Sequence, residues 1–123
     1  MSDRFRLTSP KIKTIEKHVR DQCITLLNLR HYWTRRMNVG RFRTVDGRWH
    51  TEGKPGDPDY VVLHEFYPGF LLEFKRPGGE LSPEQQQRHL EITLGYQITI
   101  VIVDNLEQLE RWLDEYEKRI WTA

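Results

Sequence analysis

"GDPDYVVLHEFYPGFLLEFKRPGGELSPEQ" occupies Gly56 to Gln85, and its alternation bears on both fold and chemistry. Two apolar runs, "DYVVLHEF" and "FLLEFK", flank Tyr67-Pro68-Gly69 and read as strands joined by a turn. Side chains of the second run alternate, so Glu73 and Lys75 share one face while Phe70, Leu72 and Phe74 take the other. With the turn centred near Tyr67, Asp59 falls opposite Lys75 and diagonal to Glu73. Diagonal neighbours on one face lie ~7–8 Å apart, close enough for two carboxylates to share a cation. A slip of one residue turns Asp59 to the wrong face. An unpaired buried charge is costly. These three charges therefore either form surface ion pairs, which stabilise by only about 0–1 kcal/mol, or converge to do chemistry.

The segments around this hairpin complete a small α/β pattern. "TSPKIKTIEKHVRDQCITLLNLR" reads as a helix, with Ser9 as cap, Pro10 at its first position, and Ile12, Ile15, Val19, Cys23, Leu26 and Leu27 at helical spacing. "HYWTRRMN" reads as a first strand, and "RFRTVDGRWHT" as a hairpin around Asp46-Gly47. Ser82, Pro83 and Gln85 begin a second helix in capping-box form. "ITIVIV" (Ile98–Val103) is an apolar run expected in the sheet interior. A last helix starts near Asp104 or Asn105 and is expected to bury Leu106, Leu109, Trp112, Leu113, Tyr116 and Ile120. The order α-β-β-β-β-β-α-β-α predicts one domain over residues 1–123, a small mixed β-sheet flanked by helices.

The 123 residues support one modest core beneath a surface rich in charge, since 30% of the chain is Asp, Glu, Lys or Arg. Cys23 is the only cysteine, so an intrachain disulfide and a cysteine-rich zinc cage are both excluded. No apolar run approaches the ~20 residues that span a bilayer, and the start lacks a secretory pattern. The expected setting is cytoplasmic. A net charge of +1 conceals a division. Residues 1–54 carry 13 Lys/Arg against 5 Asp/Glu, a net +8; residues 55–123 carry 6 against 13, a net −7. The basic half either faces a polyanion or is neutralised by the acidic half in the fold.

Phosphodiester hydrolysis calls for the residue types that Asp59, Glu73 and Lys75 supply. Two carboxylates and a backbone carbonyl suit Mg²⁺, which takes hard oxygen ligands; the ion polarises phosphate and acidifies water. A lysine beside it orients that water or stabilises developing negative charge. Glu-x-Lys alone is weak, because Glu52-Gly53-Lys54 repeats it in a glycine-rich loop without a strand to fix it. The copy at Glu73 ends an apolar strand and faces Pro58-Asp59.

Gly56, Pro58-Asp59, Glu73-Phe74-Lys75 and "PGGELSPEQ" (Pro77–Gln85) together resemble the VRR-NUC family of the PD-(D/E)XK nucleases. Glu16 and "WTRRMNVG" (Trp33–Gly40) are similar to the family's helix glutamate and its arginine–asparagine–glycine segment, so the resemblance spans roughly residues 12–103. It implies a restriction-endonuclease-like core and a divalent-metal-dependent DNA endonuclease using Mg²⁺ or Mn²⁺. Asp59, Glu73 and the Phe74 carbonyl become metal ligands, Lys75 the water-orienting base, and Gln85 and Glu16 supporting residues. Members consisting of this domain alone resemble Holliday-junction resolvases, often act as homodimers, and many occur in phages. Asp57 departs from the pattern as an extra carboxylate, either a ligand or solvent-facing.

Several of these residues have a plainer reading. Gln85 completes a capping box without any catalysis, and Glu16 stands four residues before Arg20, a routine helix pair. Arg35, Arg36, Arg41 and Arg43 form a DNA-binding face in one reading and a solvated strand in the other. Asn38 and Gly40 shape a loop near phosphate or a simple turn. His18, His31, His50, His64 and His89 lack zinc-motif spacing and read as surface or packing residues. Pro77-Gly78-Gly79 lacks a following Walker lysine and reads as a chain reversal. The competing function is a nucleic-acid-binding module that keeps the fold without turnover; a protein adaptor using the acidic last helix is a third.

Overall fold

A computed structural model describes residues 9–37, 40–52 and 56–122. They fold in the order α1 (Ser9–Leu29), β1 (Trp33–Arg36), β2 (Gly40–Arg43), β3 (Trp49–Glu52), β4 (Tyr60–Leu63), β5 (Phe70–Phe74), α2 (Pro83–Tyr96), β6 (Ile100–Val103) and α3 (Leu106–Thr122). The result is a mixed α/β fold. Its four-stranded sheet runs β1-β4-β5-β6, with β2 and β3 forming a separate two-stranded ribbon. β1/β4 and β4/β5 pair antiparallel, whereas β5/β6 pair parallel through the α2 crossover.

The core lies between the sheet and the α1/α3 pair. Val19, Cys23 and Leu27 from α1, Phe70, Leu72 and Phe74 from β5, Val101 and Val103 from β6, and Leu109 and Leu113 from α3 form one apolar cluster. Helical and strand periods thus deliver side chains to the same layer. Phe70 meets Trp112 edge-on, with ring centroids 4.7 Å apart. Arg30 pairs with Asp114 at 2.8 Å, and the Tyr32 hydroxyl donates to Glu117 at 2.8 Å, tying the end of α1 to α3. Asn105 caps α3 by accepting from the Gln108 N–H at 2.8 Å. Ile120, expected inside, is 39% exposed near the end of that helix.

Every residue of β5 is buried, because the core covers one face and α2 residues approach the other. β6, expected inside the sheet, is instead its outer strand among the described residues. Its alternation explains the apolar run: Val101 and Val103 enter the core, while Ile102 remains 40% exposed on the opposite face. The hairpin forms around Asp46-Gly47 as expected, with Gly47 at φ +86 and its N–H bonded to the Thr44 carbonyl at 2.9 Å. Among the described residues, no helix is long and apolar enough to cross a membrane.

Candidate active site

The β4/β5 register decides where the charges meet. Tyr60 pairs with Leu72, Val61 with Leu71 and Val62 with Phe70. Continuing one step places Asp59 opposite Glu73, not opposite Lys75 as a turn centred on Tyr67 implies. The displacement is two residues along one strand, so facing is preserved while the carboxylates draw closer. The Oδ2 atom of Asp59 accepts from the Phe74 N–H at 2.9 Å. Its backbone carbonyl accepts from the Met37 N–H at 2.7 Å, fixing the residue from both flanking strands. Asp59 also lies within hydrogen-bonding reach of the Glu73 carboxyl.

Glu73 is 2% exposed. Burial, then the adjacent Asp59, pushes its carboxyl up to about 9 from an ordinary 4.5, against the opposing Lys75 cation and with a smaller raise from Glu16. That is far from a surface ion pair. Oε1 of Glu73 has no hydrogen-bond partner among the described residues, an orphaned acceptor in a dry setting. Two coupled carboxylates side by side fit a hard divalent cation. No group of three or more His, Cys, Asp or Glu side chains among the described residues makes a complete cage. The fit therefore rests on two carboxylates with backbone and water oxygens.

Lys75 Nζ donates to Gln85 Oε1 at 2.7 Å, and the same oxygen accepts from the Ser82 N–H at 2.9 Å. The Gln85 N–H returns a bond to Ser82 Oγ at 3.1 Å. Capping and site support are thus one arrangement: the amide that completes the box also holds the lysine. Arg76-Pro77-Gly78-Gly79 turns the chain between β5 and α2, with Gly78 at φ +75 and the Gly79 N–H bonded to the Arg76 carbonyl at 2.8 Å. Proline followed by positive-φ glycine suits a type II turn.

The Gly56–Asp59 loop is clamped onto α2. Gly56 has φ +87, and a Cβ there would stand 2.8 Å from the Glu84 carbonyl oxygen, so only glycine fits. Pro58 is fully buried and brings no N–H needing a partner. Asp57 does not face solvent: its side chain is 6% exposed and meets Arg88 Nε at 2.6 Å. Arg36, Met37, Gly56, Asp57, Pro58, Asp59 and Gln85 line a polar cleft of about 220 Å³.

Asp59, Glu73, Lys75 and Gln85 therefore gather in one place, with Glu16 near enough to influence Glu73. The Glu16–Arg20 pair is absent among the described residues; Arg20 lies 3.9 Å from Asp21 instead. Arg35 and Arg36 are exposed on β1, and Arg36 reaches the cleft. Arg43 stacks over Trp49 at 5.6 Å on the separate ribbon. Arg41 contributes backbone to β2, and Asn38 lies outside the described residues. The residue that sequence reasoning passed over is His89. It is 6% exposed, and its Nε2 stands 3.3 Å from Glu73 Oε1. Burial, and then the Lys75 cation, hold its imidazole below the ordinary range. Its position four residues after Gln85 was the available signal, since that spacing shares a helix face.

Comparison with protein-family models, with curated proteins and with solved structures found no match.

The raised Glu73 carboxyl has a thermodynamic signature. Below pH 4.5 it is protonated in both folded and unfolded chains; between 4.5 and about 9 the unfolded chain releases the proton and the native one retains it. Its effect is thus a loss of stability as pH rises through that window. Without added metal, Glu73→Gln is expected to stabilise the fold at pH 8 by up to about 5 kcal/mol, and the gain shrinks toward pH 5. Urea unfolding at both pH values checks this; an equal difference at each contradicts it.

Proposed function

We propose that the chain is a divalent-metal-dependent endodeoxyribonuclease with a PD-(D/E)XK-type core, acting on branched DNA such as Holliday junctions. The observation that carries this reading is the meeting of Asp59 and Glu73 beside the Lys75–Gln85 pair, at a polar cleft reached by Arg36. Asp59, Glu73 and the Phe74 carbonyl are the groups that would hold Mg²⁺ or Mn²⁺. When bound, the ion neutralises charge on the phosphate and acidifies a water.

The chain's own groups account for the remaining tasks. Lys75, held through one N–H by Gln85, keeps its other N–H groups for the attacking water and for charge developing on the phosphate. Arg36 at the cleft, and Arg35 exposed next to it on β1, contact the DNA backbone and fix its position rather than its sequence. Arg41, Arg43 and Asn38 extend the same role in this reading. The fixed Asp59 backbone and the capped helix hold the reacting groups in place before DNA arrives, which lowers the cost of orienting them.

A homodimer is part of the proposal, because one site cuts one strand and junction resolution takes two incisions. β6, the outer strand of the sheet with Ile102 exposed, offers a surface for a second copy.

Asp59→Ala and Glu73→Ala are expected to stay folded and bind DNA while losing at least ~10²-fold in cleavage rate with Mg²⁺ or Mn²⁺. Undiminished cleavage by either purified variant overturns the assignment. Wild-type protein that binds but never cuts in either metal favours the binding-module alternative. Sedimentation with a four-way junction is expected to give a complex of two chains; monomers alone on bound junction contradict the dimer.

A further inference from the structure

Strand β5 and helix α2 meet with matched spacing. Glu73 and Lys75 are two residues apart on one face of β5, a separation of ~7 Å. Gln85 and His89 are four residues apart on one face of α2, at ~6 Å. Each strand residue consequently has one helix residue before it: Lys75 Nζ is 2.7 Å from Gln85 Oε1, and Glu73 Oε1 is 3.3 Å from His89 Nε2. The first pair is a formed hydrogen bond. In the second, both partners are almost wholly buried, yet Glu73 Oε1, His89 Nε2 and His89 Nδ1 have no hydrogen-bond partner among the described residues.

Burying a histidine with both ring nitrogens unsatisfied is a poor solution for packing alone, since an apolar side chain avoids the desolvation cost. Metal-binding carboxylates, in turn, are commonly oriented by a second hydrogen-bonding group behind them. We propose that His89 is a positioning residue for Glu73: its Nε2–H donates to Oε1 and so orients the carboxylate that would hold a divalent cation. The inference rests on the nuclease reading of the Asp59/Glu73 pair and adds a residue to it. Gln85 and His89 then act as a pair, one fixing the lysine and the other the carboxylate, from consecutive turns of one helix.

The test is Mn²⁺ binding by calorimetry, without DNA, to the full chain and to His89→Leu and His89→Gln. Leucine removes the donor; the glutamine amide retains one. Mn²⁺ affinity is expected to fall about 10–100-fold in His89→Leu and to stay within about threefold of wild type in His89→Gln. Thermal stability without metal is expected to be unchanged or higher in His89→Leu, which a purely structural histidine does not allow. Wild-type affinity in folded His89→Leu overturns the proposal, as does equal weakening in both variants. Should His89→Leu fail to fold, His89→Met, which also lacks a donor, takes its place: affinity lowered about 10–100-fold supports the role, and wild-type affinity overturns it. A wild-type protein that binds no Mn²⁺ overturns the metal-site reading and this inference together, whereas binding insensitive to residue 89 overturns the inference only.

Discussion

The Glu73 carboxyl sits next to the end of the sheet's most buried strand, with a second carboxyl, Asp59, across the ladder. Neither the apolar core nor the ion pairs of the surface require such a group there. Burial alone favours the protonated form, and the neighbouring Asp59 favours it further. The arrangement is frustrated in the isolated protein, and frustration of this kind is found where a structure is organised around a ligand. In the proposed reading, a divalent cation held by the two carboxylates would offset both effects.

Much of the surrounding structure keeps that juxtaposition in place. Asp59 is held by backbone N–H and C=O groups of both neighbouring strands. The loop before it packs closely on α2, where a Cβ at Gly56 would stand 2.8 Å from the Glu84 carbonyl oxygen. Arg88 fastens Asp57 to α2, and α2 is fastened at its N-terminus by the capping box whose glutamine also reaches Lys75. One helix thereby fixes the loop and the lysine, and places His89 Nε2 3.3 Å from Glu73 Oε1. This economy comes from helical spacing: residues 85, 88 and 89 fall on one side of α2.

What could be read from the sequence follows from periodicity. Alternation fixed which face Glu73 and Lys75 share, and helical spacing identified Val19, Cys23, Leu27, Leu109 and Leu113 as core residues. Register was harder. A hairpin's turn can move without changing the hydrophobic pattern, provided that the shift is even, so a turn centred near Tyr67 pairs Asp59 two residues too far along. Sheet order was harder still: an apolar run such as Ile98–Val103 carries the same composition inside a sheet or at its edge, and only the neighbours settle it. His89 was passed over because a lone histidine has no pattern of its own; its meaning comes from Glu73, sixteen positions earlier in the chain and brought near by the α2 crossover.

The central claim is that Asp59 and Glu73 form one cation site, and locating the ion tests it most directly. Crystals grown with Mn²⁺ and measured at its absorption edge are expected to give an anomalous peak between the two carboxylates, about 2.1–2.3 Å from an oxygen of each. The account is contradicted by clear density for both side chains turned away from each other, with the manganese bound elsewhere or nowhere in the cleft.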